Sequence, residues 1–232
     1  MSQIGFHKTA LALPKPSLAI FRTTLPLLVG WLTLTGAGHA IESPLSAASV
    51  NEAYTQGVTL GMREDQAYPL APNAVYHTAD TLRLEAANGD VDAVVIGTPW
   101  ERVRYQSYLA TIGGEEITPA QARERARLPD GSVAVLIFAH GSKPSDQDFI
   151  SGFTGVTLKL GTTTTHPAEA RRSGTSGSQY PDTPGEIGER FTGTITYIFH
   201  LTPAQLRNSG TLSFTDPTGK VFRLPIRLSA YR

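Results

Sequence analysis

The stretch RFTGTITYIFHL, residues 190–201, alternates cleanly between apolar and polar side chains. Most odd-numbered positions are aromatic or aliphatic, and three even-numbered positions carry Thr192, Thr194 and Thr196. Because successive side chains of a strand point to opposite faces, the pattern predicts a strand with one buried and one polar face. This part of the chain must therefore belong to a sheet that covers a core on one side only.

Much of the second half of the chain has the same character. SVAVLIFA at 132–139 predicts a buried strand, 153–160 alternates, and 211–232 reads as a hairpin around a DPTG turn. Pro225 lies inside the last strand, which predicts an edge or a bulge there. The last 80 residues lack the strand–helix rhythm of a parallel sheet. We predict a mainly β fold, an antiparallel β-sandwich of about seven to nine strands with an N-terminal helix and one or two inserted helices.

Capping patterns predict where the helices begin. In each pattern a hydroxyl residue stands three positions before Glu or Gln, so that side chain and backbone can exchange hydrogen bonds. The predicted pairs are Ser49 with Glu52, Thr98 with Glu101, and Thr118 with Gln121. The turn at Thr98 could instead bind an anion at the helix start, but Glu101 already places negative charge there. We predict a structural joint at which Trp100 is buried against the sheet.

Two further patterns have alternative interpretations. Gly57 and Gly61 either shorten the first helix or allow close packing of another helix. Arg123, Arg125 and Arg127 could bind phosphate, but steps of two residues point to different sides of a helix, which favours a solvated surface. Asn88-Gly89 predicts a tight hairpin turn between a strand near 82–86 and a strand at 91–96.

The first 40 residues have the composition of a secretory signal. Three basic residues and no acidic ones precede a short apolar run, and Gly38-His39-Ala40 offers small residues for cleavage. The division that follows is a signal peptide at 1–40, an N-terminal helix and irregular segment at 41–79, and a β-sandwich at 80–232. Within the sandwich we expect inserted helices at 98–128. We also expect a flexible loop at 161–189, because 17 of its 29 residues are Gly, Ser, Thr or Pro.

Charge and cysteine content narrow the function classes. The leader holds three of the twenty basic residues and none of the twenty acidic ones, so the rest of the chain has a net charge of −3. That near-neutral balance argues against nucleic acid as a partner. The apolar run of the leader is too short to span a membrane, and we expect no membrane span once the signal is cleaved. The chain has no cysteine, which excludes disulfides and a thiolate site. We expect a periplasmic or extracellular protein.

Motifs for known chemistries are missing. There is no nucleophile elbow, zinc-protease motif or dinucleotide fingerprint, and no cofactor is predicted. The strongest polar group is His140 at the end of a strand, followed by Asp146 and Asp148. These three residues could bind a divalent metal or form the centre of a hydrolase. The alternative is a histidine that caps a polar turn.

Two stretches carry a resemblance. NEAYTQGVTLGMRED at 51–65 and VVIGTPWERV at 94–103 resemble an uncharacterised family of exported bacterial proteins. The first is similar to the family's Glu-Ala-Tyr helix, and the second to its strand followed by Thr-Pro-aromatic-x-x-Val. The resemblance covers about residues 51–103. It implies export and a build of helix plus β-sandwich, and it implies no activity.

The sequence therefore favours an exported non-catalytic protein, either a binding module or a structural module of the envelope. Its partner would be an envelope or surface protein or a glycan. The predicted contact surfaces are the loop 161–189 and the face that carries Thr192, Thr194 and Thr196, for which an ordinary solvated face is the alternative interpretation. The second hypothesis is an exported hydrolase or metal-dependent enzyme centred on His140, Asp146 and Asp148.

Overall fold

The computed structural model describes residues 41–63, 67–77, 91–183 and 186–232. Within these ranges the chain folds into two antiparallel sheets and three helices, which confirms the predicted mainly β sandwich with helices. The helices are α1 (Ala47–Gly61), α2 (Pro99–Ile112) and α3 (Pro119–Ala126). In the described part of the chain, no helix combines the length and the apolar character needed to cross a membrane.

The larger sheet has six strands. Five of them lie in the order β1-β2-β3-β8-β6, and the sixth, β7, also pairs with β8. Its central strand is β3, which was predicted at 132–139. It pairs with β2 on one side and with β8, which contains the alternating stretch at 190–201, on the other. The strands are β1 (Ala74–His77), β2 (Val91–Gly97), β3 (Ser132–His140), β6 (Glu169–Arg172), β7 (Ser176–Thr183) and β8 (Glu186–His200).

The smaller sheet has four strands in the order β10-β9-β4-β5. They are β4 (Thr154–Leu160), β5 (Thr163–Thr165), β9 (Ser209–Thr215) and β10 (Val221–Arg227). Strand β10 pairs only with β9 in this sheet, so the prediction that Pro225 marks an edge strand is confirmed.

The main core lies between the two sheets. Strand β8 contributes Ile195, Tyr197 and Phe199 from its odd-numbered face, as the alternation predicts. The smaller sheet contributes buried residues such as Leu158 and Phe214. We call the core side of the six-stranded sheet its inner face and the opposite side its outer face. The even-numbered residues of β8 lie on the outer face.

The helices form a layer of their own, in which α2 contacts both α1 and α3. A Cβ added at Gly57 would lie 2.2 Å from the carbonyl oxygen of Arg104, so only glycine permits this approach of α1 to α2. Gly61 likewise faces Thr111 at short range. Of the two interpretations of this glycine pair, close packing is therefore the one observed.

Of the predicted caps, the one at Ser49 differs from the structure and the one at Thr118 is confirmed. Helix α1 begins at Ala47 and is capped by Ser46, whose Oγ accepts from the amide of Ser49, whereas Ser49 donates its own hydroxyl to Glu42. Ser49 is therefore not the cap, and Glu52 pairs with Arg232 instead. The sequence pattern therefore predicted the start of α1 three residues too late. The reason is that Ser49 bonds to Glu42, which lies before the helix and outside the pattern. The predicted box of Thr118 and Gln121 is confirmed in both directions.

The predicted loop at 161–189 is wrong, because β5, β6, β7 and the first residues of β8 lie there. These strands lie at sheet edges or in the β7–β8 hairpin, where most side chains are exposed and few apolar residues are needed. Threonine is β-branched and fits such positions. The predicted Asn88-Gly89 turn and the strand near 82–86 lie outside the described residues.

Candidate functional site

A cleft separates the helical layer from the outer face of the six-stranded sheet. It consists of two adjacent cavities of about 400 and 430 Å³, and both are lined by Arg102 and Thr196. We call it the arginine–tyrosine cleft. Its arginine half is further lined by Gln106, Arg125, Arg127 and Arg171. Its tyrosine half is further lined by Tyr68, Glu101, Tyr105, Tyr108, Phe138 and Thr194.

The sheet supplies the floor of the cleft. Thr194 stands opposite Phe138 on the neighbouring strand, and Thr196 stands opposite Leu136. On the other side of β8, Arg171 of β6 stands opposite Thr196. Thus the polar face that the alternation predicted does not simply face bulk solvent, because Thr194 and Thr196 line the cavities.

The arginine half carries an excess of positive charge. Arg125 forms two hydrogen bonds to Glu115 at 2.7 and 2.5 Å, and Arg171 forms two to Glu169 at 2.5 and 2.8 Å. In the described ranges, no carboxylate forms an ion pair with the remaining two guanidinium groups, those of Arg102 and Arg127. An anion that enters here would meet two arginines that form no ion pair, of which Arg102 also lies near the Glu101 carboxyl.

Arg127 reaches this place through an unusual backbone conformation. It ends α3 with φ of 48°, in the left-handed region that a non-glycine residue seldom adopts. The predicted solvated surface is confirmed for Arg125 and Arg127, which are exposed, but the prediction that the three arginines do not share a patch is wrong in part. Arg123 does pair with Asp130 away from the cleft, but Arg125 and Arg127 both line the arginine half. The helical spacing argument fails because Arg127 is no longer helical.

Arg102 lies between the two halves. Its stem passes over Gly97, where an added Cβ would lie 3.0 Å from Arg102 Cδ. Its guanidinium carbon lies 4.7 Å from the ring centroid of Tyr105, a cation–π distance that limits the directions in which it can donate.

The tyrosine half contains a buried carboxyl group. Glu101 is only 3% exposed, and its Oε1 accepts from the Tyr68 hydroxyl at 2.9 Å, while Oε2 has no partner among the described residues. Burial raises the pKa of Glu101, an effect that the nearby charges of Arg102 and Arg104 oppose only in part. Burial also raises the pKa of the Tyr68 hydroxyl, so this group acts as a hydrogen-bond donor and not as a base.

The start of α2 is the structural joint that the sequence predicts, with two differences. Thr98 Oγ1 accepts from the amide of Glu101 at 3.1 Å, and Trp100 is 8% exposed, so the cap and the burial of Trp100 are confirmed. Trp100 does not pack against the sheet, because the buried residues around it, such as Ala53, Val103 and Ala122, belong to the three helices. Glu101 does not reach back to Thr98, because its carboxyl is bonded to Tyr68. Thr98 Oγ1 instead donates to the carbonyl of Arg232, which closes off this helix end.

The predicted metal site at His140, Asp146 and Asp148 is wrong. Among the described residues, no three side chains of the metal-binding types converge, and Asp146 accepts from Ser142 nearby. His140 Nδ1 lies 2.9 Å from Asp92 Oδ1, and the Tyr180 hydroxyl donates to the same oxygen. The rings of His140 and Tyr180 lie 4.1 Å apart, and both residues are 7% exposed. This cluster fastens the β7–β8 hairpin to β2 and β3, which is a structural role.

Comparison with protein-family models, with curated proteins and with solved structures finds no match to this chain. The resemblance of residues 51–103 to exported bacterial proteins therefore stays a prediction. The sequence did not point to Tyr68, Gln106 or Arg171 as site residues. They come from segments that are distant in the chain, and no local motif connects them. Two signals pointed to the cleft: the threonine face, which the sequence predicted as a contact surface, and Arg125 and Arg127, for which phosphate binding was the alternative to a solvated surface.

Proposed function

We propose that this chain is an exported, non-catalytic binding protein whose ligand site is the arginine–tyrosine cleft. The observation that carries the proposal is a pair of arginines, Arg102 and Arg127, that line one cavity and form no ion pair with a carboxylate among the described residues. Guanidinium groups bind carboxylate, sulfate and phosphate through paired hydrogen bonds. The ligand therefore carries at least one anionic group.

The surroundings support binding and not catalysis. The floor is rigid sheet, and concave sites with a few convergent polar groups are typical of ligand binding. Catalysis of hydrolysis would need a base or a nucleophile beside the bound group. In the tyrosine half, the Tyr68 hydroxyl is a donor that is already bonded to Glu101 Oε1, so neither group is directed at a bound ligand.

Anion binding is tested by thermal unfolding in millimolar sulfate or phosphate, with chloride at equal ionic strength as the reference. We expect a saturable rise in the melting temperature of the wild type, because a ligand of the native state stabilises it. The double variant Arg102→Gln/Arg127→Gln should lose this rise. The matched control is Arg223→Gln, which removes an exposed arginine from β10 in the other sheet and should keep it.

The proposal fails if the wild type shows no saturable rise, or if the double variant responds like the wild type. A general salting effect of sulfate would raise the melting temperatures of all three proteins equally.

Export is tested separately by expressing the full chain with a C-terminal tag in a bacterium and sequencing the N-terminus of the recovered protein. We expect a periplasmic or extracellular product that begins at residue 41, since the small residues Gly38 and Ala40 fit a cleavage site. A protein that keeps its first 40 residues and stays in the cytoplasm would contradict this part of the proposal.

A further inference from the structure

We infer that the ligand of the arginine–tyrosine cleft is an amphipathic anion, whose acidic group lies in the arginine half and whose apolar body lies in the tyrosine half. This inference rests on the proposed function and specifies the ligand class of that site. Three observations carry it: the apolar lining of the tyrosine half, the pairing of polar groups in that half, and the position of Arg102 between the two halves.

The tyrosine half offers a mainly apolar surface. Its lining includes four apolar side chains that belong to one hydrophobic cluster or pack against it: Leu70, Val95, Leu136 and Phe138. Helix α2 adds the rings of Tyr105 and Tyr108, which lie nearly parallel, with an angle of 21° between them. An apolar ligand surface gains free energy when it leaves water for such a lining, whereas a polar one would lose its hydrogen bonds to water.

Two polar side chains of the tyrosine half are already occupied within the protein. The Tyr68 hydroxyl donates to Glu101 Oε1 at 2.9 Å and accepts from Arg104 Nε at 2.9 Å. Glu101 Oε2 has no partner among the described residues, but this atom is buried and so is closed to a ligand. Neither side chain is available to recognise polar groups of a ligand, so binding in this half comes from its apolar lining.

Arg102 determines the end at which the acidic group binds. It lines both cavities, and in the arginine half it is joined by Arg127, which also forms no ion pair with a carboxylate among the described residues. The lining of the tyrosine half has the Glu101 carboxyl and no second arginine. Thr196 also lines both halves, so its hydroxyl can donate to an acidic group that Arg102 binds. A ligand that spans the cleft therefore has its charge at one end and its apolar body at the other.

The inference is tested by titration calorimetry of the purified protein with the straight-chain acids butanoate, hexanoate and octanoate. We expect saturable binding that tightens by about three- to fourfold for each added methylene, because each one buries more apolar surface. Octanamide has the same body without the charge, and it should bind at least about tenfold more weakly than octanoate. Glucuronate joins a carboxylate to a polar body, and it should bind no more tightly than butanoate.

Variants separate the two halves of the cleft. Arg102→Gln should weaken octanoate binding by about tenfold or more. Leu70→Ser should weaken it several-fold and leave the sulfate-induced rise in melting temperature unchanged, because Leu70 lines only the tyrosine half. Thr194→Val keeps the shape of the side chain and exchanges a hydroxyl for a methyl group, so octanoate should bind at least as tightly as before. Arg223→Gln should bind like the wild type, and thermal unfolding without ligand shows that each variant is folded.

The inference is overturned if octanoate binds no more tightly than butanoate, if octanamide binds as tightly as octanoate, or if glucuronate binds more tightly than octanoate. Weaker octanoate binding by Thr194→Val would also overturn it. The aromatic acid phenylpropionate distinguishes the kinds of apolar body, and tighter binding of it than of octanoate would support the inference with a ring as the body. Sulfate-dependent stabilisation that persists when octanoate fails would leave the proposed anion site standing. Absence of any anion effect would remove both.

Discussion

The two faces of the six-stranded sheet use the same strands for different purposes. On the inner face, Ile195, Tyr197 and Phe199 pack into a continuous apolar core with the smaller sheet. On the outer face, Thr194 and Thr196 from the same strand line a cleft. The helical layer covers the outer face incompletely, and the cleft that remains is lined by arginines and the buried Glu101 from that layer. Packing determines the inner face, so the outer face is the one that is free to carry a ligand.

The largest expected difference in stability is between two substitutions on strand β8, one on each face of the sheet. Phe199→Ala on the inner face should lower the free energy of unfolding by about 3–5 kcal/mol, because it removes a fully buried ring and leaves a cavity. Thr196→Ala on the outer face should change it by about 0.5 kcal/mol or less. Urea unfolding of both variants measures the two values. Equal losses would mean that the outer face is packed as tightly as the inner one.

The helical layer should respond to a single added methyl group. Gly57→Ala should destabilise by about 1–3 kcal/mol through overpacking against the Arg104 carbonyl, although alanine normally favours a helix. Gly174→Ala provides the control, since an added Cβ there meets no atom within 4 Å. Chemical denaturation should show that Gly57→Ala lowers the free energy of unfolding, whereas Gly174→Ala raises it or changes it much less. A stabilised Gly57→Ala protein would show that α1 is not held closely against α2.

The buried carboxyl group of Glu101, which lines the cleft from α2, should make stability depend on pH. Because burial raises the pKa of Glu101 above its value in the unfolded chain, its protonated form favours the folded state. That contribution is complete below the unfolded pKa of about 4.3 and is lost as pH rises through the folded pKa. Glu101→Gln should therefore be more stable than the wild type at pH 8, by about 1–2 kcal/mol, and should lose this advantage near pH 4.

Unfolding midpoints from pH 4 to pH 8 give this comparison, with the exposed Glu124→Gln on α3 as the control. A stability difference between wild type and Glu101→Gln that stays constant with pH would contradict a raised pKa.

The smallest expected effect distinguishes a buried cap from an exposed one. Thr98→Ala should cost about 1 kcal/mol, because Thr98 caps α2 and also bonds to the carbonyl of Arg232. Thr118→Ala should cost about 0.5 kcal/mol, because that cap is exposed and water replaces the lost oxygen. Thermal melts of the two variants rank them. The reverse order would show that the joint at α2 is held by packing of Trp100 alone.

The fold was predictable where the rule is local. Alternation placed β8 with its correct inner face, and the Thr98 and Thr118 hydroxyls marked two helix starts correctly. Ser49 misled because its partner, Glu42, lies outside the helix. The cleft was not predictable as a whole, because Tyr68, Arg127 and Arg171 meet only through tertiary packing. In the case of Arg127 a left-handed backbone was also required.

The contact between Arg232 and Glu52 bears on the rate at which the molecule folds. It joins residues 180 positions apart, and Arg232 also lies over the ring of Trp100 at 4.8 Å. Contacts of such long sequence separation slow folding, because the entropy of closing the chain is lost before the contact forms. The helical layer therefore reaches its final form only after Arg232 has been added to the chain. For a chain that crosses a membrane unfolded, as the proposed export requires, this delay keeps it in a form that can be translocated.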